Sequence, residues 1–493
     1  MAIFLFLTTP SKRSIIKHNI SQLHGKTEIR EVNMGLRNKL AQYRDSKSGI
    51  KHCTFNPKGP GVVRIHLIPP RFRPFSSSSY IVILNGYYLL PLGYSWALML
   101  SGFIEEVGRY DGAPLDGTAQ NEIRRRTVKR MKKIYPSVNK KVFEDDLDTM
   151  LDILFNIARG GTADAEIEKL SIRTYSKNMQ APHRMDLMVS AMTDERGEWK
   201  CNQKCRFCYA SGQSYSGVRE LSCDEWKAAI DKLRAANVPM LTFTGGEPTL
   251  REDLCELIAY SKWFVTRLNT NGALLTPELA RALCDAELDS VQITLYSADE
   301  KIHNTLVGAN NFSKTAEGIK NAISVGLDVS VNTPLCRLNS DYISTLKMLF
   351  GLGVRYVTVS GLICTGTAKH THETNDLTKE ELAEILSAAK VFCDENGMEM
   401  DFTSPGLVPA ELLDKLGLHT PACGAALSNM AIAPDGTVVP CQSWLGSDGA
   451  LGNIQNDSFK KIWNNKKAIS LRKMTESEAL SCPFRKSDNG ESI

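Results

Sequence analysis

Cys201, Cys205 and Cys208 stand three and then two residues apart in CNQKCRFCYA. Thiolates so closely spaced converge on one soft metal centre, and the choice lies between zinc and iron-sulfur. A structural zinc site is closed by four ligands, and no fourth partner lies nearby. Three cysteines on an iron-sulfur cluster leave one iron free for an outside ligand, which then needs a seat of its own. LTFTGGEPTL offers one: Gly245 and Gly246 let a ligand approach the backbone, Glu247 can pair with an amino group, and Pro248 completes the turn. A Gly-Gly turn before a helix is commonplace, but its pairing with the triple cysteine one strand earlier is specific.

These turns need strands to carry them. From about Met185 short apolar runs (RMDLMVSAM, PMLTFTGG, FVTRLNTNG, SVQITLYS, LDVSVNT, VRYVTVSGL) alternate with amphipathic segments such as CDEWKAAIDKLRAAN. Repeated strand-helix units form a parallel sheet or barrel whose ligands sit at the C-terminal strand ends, where the motifs fall. The expected fold class is therefore α/β, with the barrel over residues 180–400. Cys423, Cys441 and Cys482 follow in a separate small domain over 401–493. The remaining cysteines, Cys223, Cys255, Cys284, Cys336, Cys364 and Cys393, fall in helix or strand patterns and read as small core residues. His370 and His372 read as a solvated loop.

At this point the chain resembles the radical S-adenosylmethionine (SAM) superfamily, through CxxxCxxC at Cys201, Cys205 and Cys208 and GGEP at Gly245 to Pro248. The resemblance implies a partial (β/α)6 barrel, a 4Fe-4S cluster and S-adenosyl-L-methionine. It also implies an electron donor such as flavodoxin or ferredoxin, and a 5′-deoxyadenosyl radical that abstracts hydrogen from substrate. It places Phe207 against the adenine, Glu247 on the methionyl ammonium, and Ser297 and Asn332 near the ribose or carboxylate. In the tail, Cys423, Gly436 after twelve intervening residues and Cys441 after four more resemble the opening of a SPASM or twitch domain. The usual continuation is broken: with Cys482 in register, Ala479, Asp488 and Ser492 occupy the other three ligand positions. At most one auxiliary 4Fe-4S cluster is expected, on Cys423, Cys441 and Cys482.

Composition sets the outer bounds. With 493 residues, of which 42% are hydrophobic and 23% charged, the chain is globular and multidomain. A net charge of +4 is too mild to argue for nucleic acid. Thirteen clustered cysteines do not make a disulfide framework, so a reducing cytoplasmic setting is expected. Tyr80 to Ile104 is free of charge, yet Asn85-Gly86 reads as a type I′ hairpin turn and Pro91 and Gly93 interrupt the run, so no membrane insertion is expected.

Residues 1–60 read as a basic, loosely ordered leader. Over 61–165 a hairpin and three helices, including the basic EIRRRTVKRMKKIY, suggest a winged-helix-like domain. It loosely resembles the leader-peptide recognition element of radical SAM enzymes that mature ribosomally made peptides. The functional expectation is such a maturase, acting on a peptide substrate with a leader. The alternatives are a radical SAM enzyme that modifies a tetrapyrrole or other cofactor precursor, and an iron-sulfur redox-sensing DNA-binding regulator. GGEP speaks against the regulator, since a sensor needs no SAM seat.

Overall fold

The computed structural model describes residues 44, 49–56, 61–70, 80–86, 88–110, 115–158, 175–176, 179–211, 219–370, 374–445 and 449–477. The chain divides into two compact units, the first reaching Gln180 and the second built essentially from Ala181 onward.

The first unit holds a four-stranded antiparallel sheet in the order β1-β2-β3-β4: Lys51–Phe55, Val63–Ile68, Tyr80–Leu84 and Tyr88–Leu92. Three helices follow, α1 (Tyr94–Gly108), α2 (Gly117–Ile134) and α3 (Lys140–Ala158). The uncharged run resolves as expected into β3, a turn, β4 and α1. Asn85 and Gly86 both take positive φ (50° and 73°), as a type I′ turn demands. Among the described residues no helix is long and apolar enough to cross a membrane.

Two expectations change here. Lys51–Phe55 belongs to the sheet rather than to a loose leader, because Cys53 and Phe55 alternate inward and the Phe55 ring packs on Phe103 and Phe155. Residues 1–43 lie outside the described residues. A strand pair with three helices also understates the sheet, which has four strands, all preceding the helices. The basic face of α2 is laced with acids: Arg124 pairs with Asp148, Arg125 and Arg126 with Glu122, and Arg130 with Glu105.

In the second unit a ten-stranded sheet runs β11-β10-β9-β8-β7-β6-β5-β12-β13-β14. Its parallel core is β5 (Arg184–Ser190), β6 (Met240–Gly245), β7 (Val265–Thr270), β8 (Ser290–Thr294), β9 (Asp328–Pro334), β10 (Tyr356–Ser360) and β11 (Glu399–Phe402). Because these strands neighbour one another in chain order without reversal, right-handed crossovers place every connecting helix on one face. That face is aliphatic: Leu241, Phe243, Leu268, Val291, Ile293, Val331, Val357 and Val359 are fully buried. Alternate residues on the opposite face are polar, including Thr242, Arg267, Asn269, Gln292, Asn332 and Thr358. Gln292 Nε2 on β8 donates to Thr358 Oγ1 on β10 at 3.2 Å, across the intervening β9. Adjacent strands are about 4.8 Å apart, so this bond requires the polar face to be concave.

The tail does not stand apart. β12 (Asn429–Ile432) pairs in parallel with β5, and β13 (Thr437–Val439) and β14 (Gly452–Asn453) extend the same sheet. Lys232, on α4 (Cys223–Ala235), donates to the carbonyls of Ile454 and Gln455 at 2.5 and 2.9 Å and ties the tail to the helical layer.

Phe55→Ala should remove about 3–5 kcal/mol of stability from the first unit. Hydrogen exchange should accelerate over residues 51–158 and stay unchanged over 184–402.

Candidate active site at the strand exits

After β5 the chain makes a short hairpin, with Lys200 N donating to Met192 O at 2.9 Å, and enters the cysteine loop. Other strand exits then grip that loop by its backbone. On one side lies the end of α5 (Glu300–Val307), where Lys204 N donates to Val307 O (3.0 Å) and Arg206 N to Leu306 O (2.8 Å). Gly308 at φ +63° lets the two backbones meet, since a Cβ there would lie 2.5 Å from Lys204 O. On the other side is the turn after β10, where Thr367 N donates to Cys208 O at 3.1 Å. Gly366, at φ +58°, passes so close that a Cβ would sit 2.1 Å from the same carbonyl.

The three thiols share one field. Burial pushes Cys201 up to about 12, partly offset by the Gln203 amide and reinforced by Glu247 and Cys208. Cys205 is raised further, by burial and then by Cys208 and Cys201. Cys208 is raised by burial and eased by the amides of Ala210 and Ser211. Left alone, these sulfurs hold their protons at neutral pH. A cationic iron centre reverses that preference, because the coordinating species is the thiolate. Three soft donors in one loop, with backbone amides turned to two of them, therefore fit a cluster held by Cys201, Cys205 and Cys208. The buried Gln203 Nε2 beside them has no partner among the described residues.

The GGEP turn is determined by backbone proximity. Gly245 has φ +147°, and a Cβ on it would fall 2.3 Å from Ser190 O; one on Gly246 would fall 2.7 Å from Ala191 O. The glycines thus serve the close approach of β6 to β5 before they serve any ligand. Glu247 has a structural role as well. Its carboxylate is buried and accepts from Thr249 N (3.1 Å), Thr249 Oγ1 (2.5 Å), Thr270 Oγ1 (2.6 Å) and Asn271 N (2.9 Å). Three of these donors converge on Oε1 and only Asn271 N reaches Oε2, so Oε2 keeps an acceptor position. Burial raises its pKa, and those same bonds oppose the rise. Glu247 pins the exits of β6 and β7 together, and its Oε2 retains room for one more donor such as an ammonium. Pro248 opens the one-turn helix that follows.

The remaining expected residues are more dispersed. Phe207 is buried with Tyr296, Leu306, Val307, Cys336, Leu362 and Ala368, an apolar wall beside the cysteine loop. The Ser297 hydroxyl accepts from Asp299 N at 3.0 Å and shapes the turn after β8. Asn332 faces the concave side, where its Oδ1 accepts from Thr358 Oγ1 at 3.0 Å. Cys423 and Cys441 lie on neighbouring loops joined by Ala426 N donating to Pro440 O at 3.0 Å. Cys482 lies outside the described residues.

Sequence reading missed Asn271, whose Nδ2 donates to Asn202 Oδ1 at 2.7 Å and links the β7 exit to the cysteine loop. The TNG that ends β7 was its only local signal. Gly308 and Gly366 were also missed, because their partners lie far away in sequence.

Known proteins agree with this geometry. The radical SAM superfamily model matches residues 200–349, and an iron-sulfur cluster-binding SPASM model matches 423–483. An AdoMet-dependent heme synthase of Oleidesulfovibrio alaskensis is 28% identical over 283 residues, 53% of this chain and 71% of that protein. A PqqA peptide cyclase of Bradyrhizobium diazoefficiens is 27% identical over 306 residues, 59% of this chain and 78% of that one. Among solved structures, Streptococcus suis SuiB bound to its precursor peptide SuiA superposes with a TM-score of 0.53 at 14% identity, covering 80% of this chain and 87% of SuiB. The chain belongs to the radical SAM superfamily and carries a SPASM region. It is a radical SAM enzyme, with a 4Fe-4S cluster and SAM as cofactors and an auxiliary cluster assigned to the SPASM region.

Gly366→Ala should lose most of the iron held by the cysteine loop. Gly397→Ala, at a similar φ of +63° but with nothing within 4 Å of the added Cβ, should keep it. Iron content and cluster absorbance read the difference. Glu247→Gln turns an amide N–H against Asn271 N, and SAM affinity, measured by equilibrium dialysis, should fall about tenfold or more.

Proposed function

We propose that this enzyme matures a ribosomally made peptide, whose leader docks on the first unit while its core segment reaches the strand exits of the second. The observation that carries the reading is the first unit itself. A four-stranded antiparallel sheet has no part in SAM chemistry, yet among the described residues β4 has a strand neighbour on one side only. Among the same residues β1, paired only with β2, is the opposite edge strand. An extended peptide adds to such an edge through main-chain hydrogen bonds. Pro91 in β4 suits an edge strand, since its missing N–H costs least where no ladder partner needs it. Tethering the leader would raise the effective concentration of the core segment.

The likeness to SuiB supports this reading. Residues 181–493 make up about 63% of the chain (313 of 493), so a match covering 80% extends into the first unit. The paired acids along α2 weigh against nucleic acid, because few of its cations are left for phosphates. A second reading, a small-molecule enzyme acting on a tetrapyrrole-like precursor, is favoured by the heme synthase similarity.

When bound, the cluster and SAM supply a reductively generated 5′-deoxyadenosyl radical. The chain's share is to hold three thiolates through Cys201, Cys205 and Cys208, to fix the exits of β6 and β7 through Glu247, and to wall the site with Phe207. Cys423 and Cys441, with Cys482, would hold the auxiliary cluster.

Anaerobic reduction with SAM should yield 5′-deoxyadenosine. Cys205→Ala should abolish that product while iron on the tail remains, and loss of all iron would contradict two independent sites. A synthetic leader from a short open reading frame beside the gene should bind the full-length protein, as read by fluorescence anisotropy. If no leader binds while 5′-deoxyadenosine still forms, the small-molecule reading prevails.

A further inference from the structure

The concave face of the second unit contains a cation that the reactions described above do not use. Arg267, in the middle of β7, faces inward between Thr242 of β6 and Ser290 of β8, its partners in register. Its recorded side-chain bond is a long one, Nε to Ser290 Oγ at 3.5 Å. Other arginines of this unit have an acid at ion-pair distance: Arg184 has Asp186 at 2.8 Å, although Arg184 Nε and Asp186 Oδ1 make no hydrogen bond among the described residues, and Arg251 has Asp253 at 2.5 Å. Among the described residues no carboxylate lies within ion-pair distance of Arg267, although Asp328 and Asp186 act on it from further away. The site is enclosed enough that burial, together with the field of Arg184, lowers the arginine's pKa.

Two further observations converge on the same place. Thr242 Oγ1, across the register from Arg267, and Asn269 Oδ1, two residues along β7 on the same face, are both buried without a hydrogen-bond partner. Burying one polar atom unsatisfied is costly, and two beside an unpaired guanidinium form a built set awaiting a ligand. The set has a guanidinium fork that donates, a hydroxyl that donates or accepts, and an amide oxygen that accepts. A carboxylate matches the fork and the hydroxyl, and an adjacent N–H matches the amide oxygen.

The geometry points to Arg267, Thr242 and Asn269 as a seat for a carboxylate-bearing segment of the substrate, with Arg267 as the specificity-determining residue. Asn271 at the strand exit lies four positions beyond Arg267, about 13 Å along an extended chain. The carboxylate therefore anchors a part of the substrate well removed from the reacting carbon. This rests on the peptide reading only in naming that part, which is then an acidic side chain of the core segment. Binding energy gathered so far from the chemistry serves orientation, the usual use of a remote contact.

The test uses the full-length protein, anaerobically reconstituted and supplied with SAM, with glutarate as probe and glutaramide as its neutral isostere. Equilibrium dialysis should show glutarate retained and glutaramide not. Arg267→Gln should weaken retention by about tenfold or more, and Arg267→Lys should recover part of it. Thermal unfolding of Arg267→Gln should come no lower than that of the unaltered protein, since an unpaired buried cation is removed. Three results would overturn the assignment: equal retention of glutarate by the unaltered protein and Arg267→Gln, no discrimination between the two probes, or a clear drop in the unfolding temperature of Arg267→Gln. Failure of the unaltered protein to retain glutarate would do so as well. Dialysis needs no reductant, so absence of 5′-deoxyadenosine counts against the radical reading and absence of retention counts against this seat alone.

Discussion

Three sulfurs, one buried and two half-buried, in a loop without regular secondary structure would repel one another as thiolates and drift as thiols, unless the backbone that carries them were fixed from outside. The fixing is done almost entirely by main chain. Lys204 and Arg206 are held by the last turn of α5, and the carbonyl of Cys208 by the turn after β10. Both contacts depend on glycines whose missing side chains let one backbone lie against another. The site is therefore a property of several strand exits together, and the parallel sheet is what brings those exits to one edge.

The same logic explains Glu247. A buried carboxylate is expensive unless it is hydrogen-bonded, and two successive turns supply three donors to Oε1 and one to Oε2. The carboxylate thus fixes the spacing between the GGEP turn and the TNG turn. Asn271 then passes that constraint to Asn202 inside the cysteine loop. The cysteine loop and the GGEP turn are coupled through one chain of hydrogen bonds, so a change in either is felt by the other.

What the sequence made legible was local. The thiol spacing, the GGEP turn, the alternation of strands and helices and the Asn-Gly hairpin each lie within a dozen residues, and each appears where it was expected. What stayed hidden depended on partners distant along the chain. KHCTF reads as polar tail until Phe55 meets Phe103 and Phe155. NMAI gives no sign that it will lie beside β5 in parallel, because strand register is set by the complete sheet. Ser297 and Asn332 looked like ligand contacts from their place at strand ends. Their recorded hydrogen bonds to Asp299 and Thr358, which no spacing rule reveals, use one acceptor oxygen of each and neither support nor oppose a ligand contact.

The polar rows on the concave face carry this argument further. A parallel sheet covered on both faces by helices reads as nearly continuous apolar sequence. Here TRLNT, SVQIT and DVSVN instead alternate polar and apolar residues along parallel strands. Such alternation identifies one face that carries no helix layer. Much of that polarity closes on itself, with Gln292 on Thr358, Thr358 on Asn332 and Tyr356 on Asp401. The stretch around Arg267 does not. A concave face whose polar groups are bonded over β8–β11 and open over β5–β7, where Arg184 Nε and Asp186 Oδ1 also lack a hydrogen bond among the described residues, is selective in chemistry over that stretch. The strand exits fix where a reaction occurs, and the unsatisfied stretch below them is suited to deciding which molecule is held there.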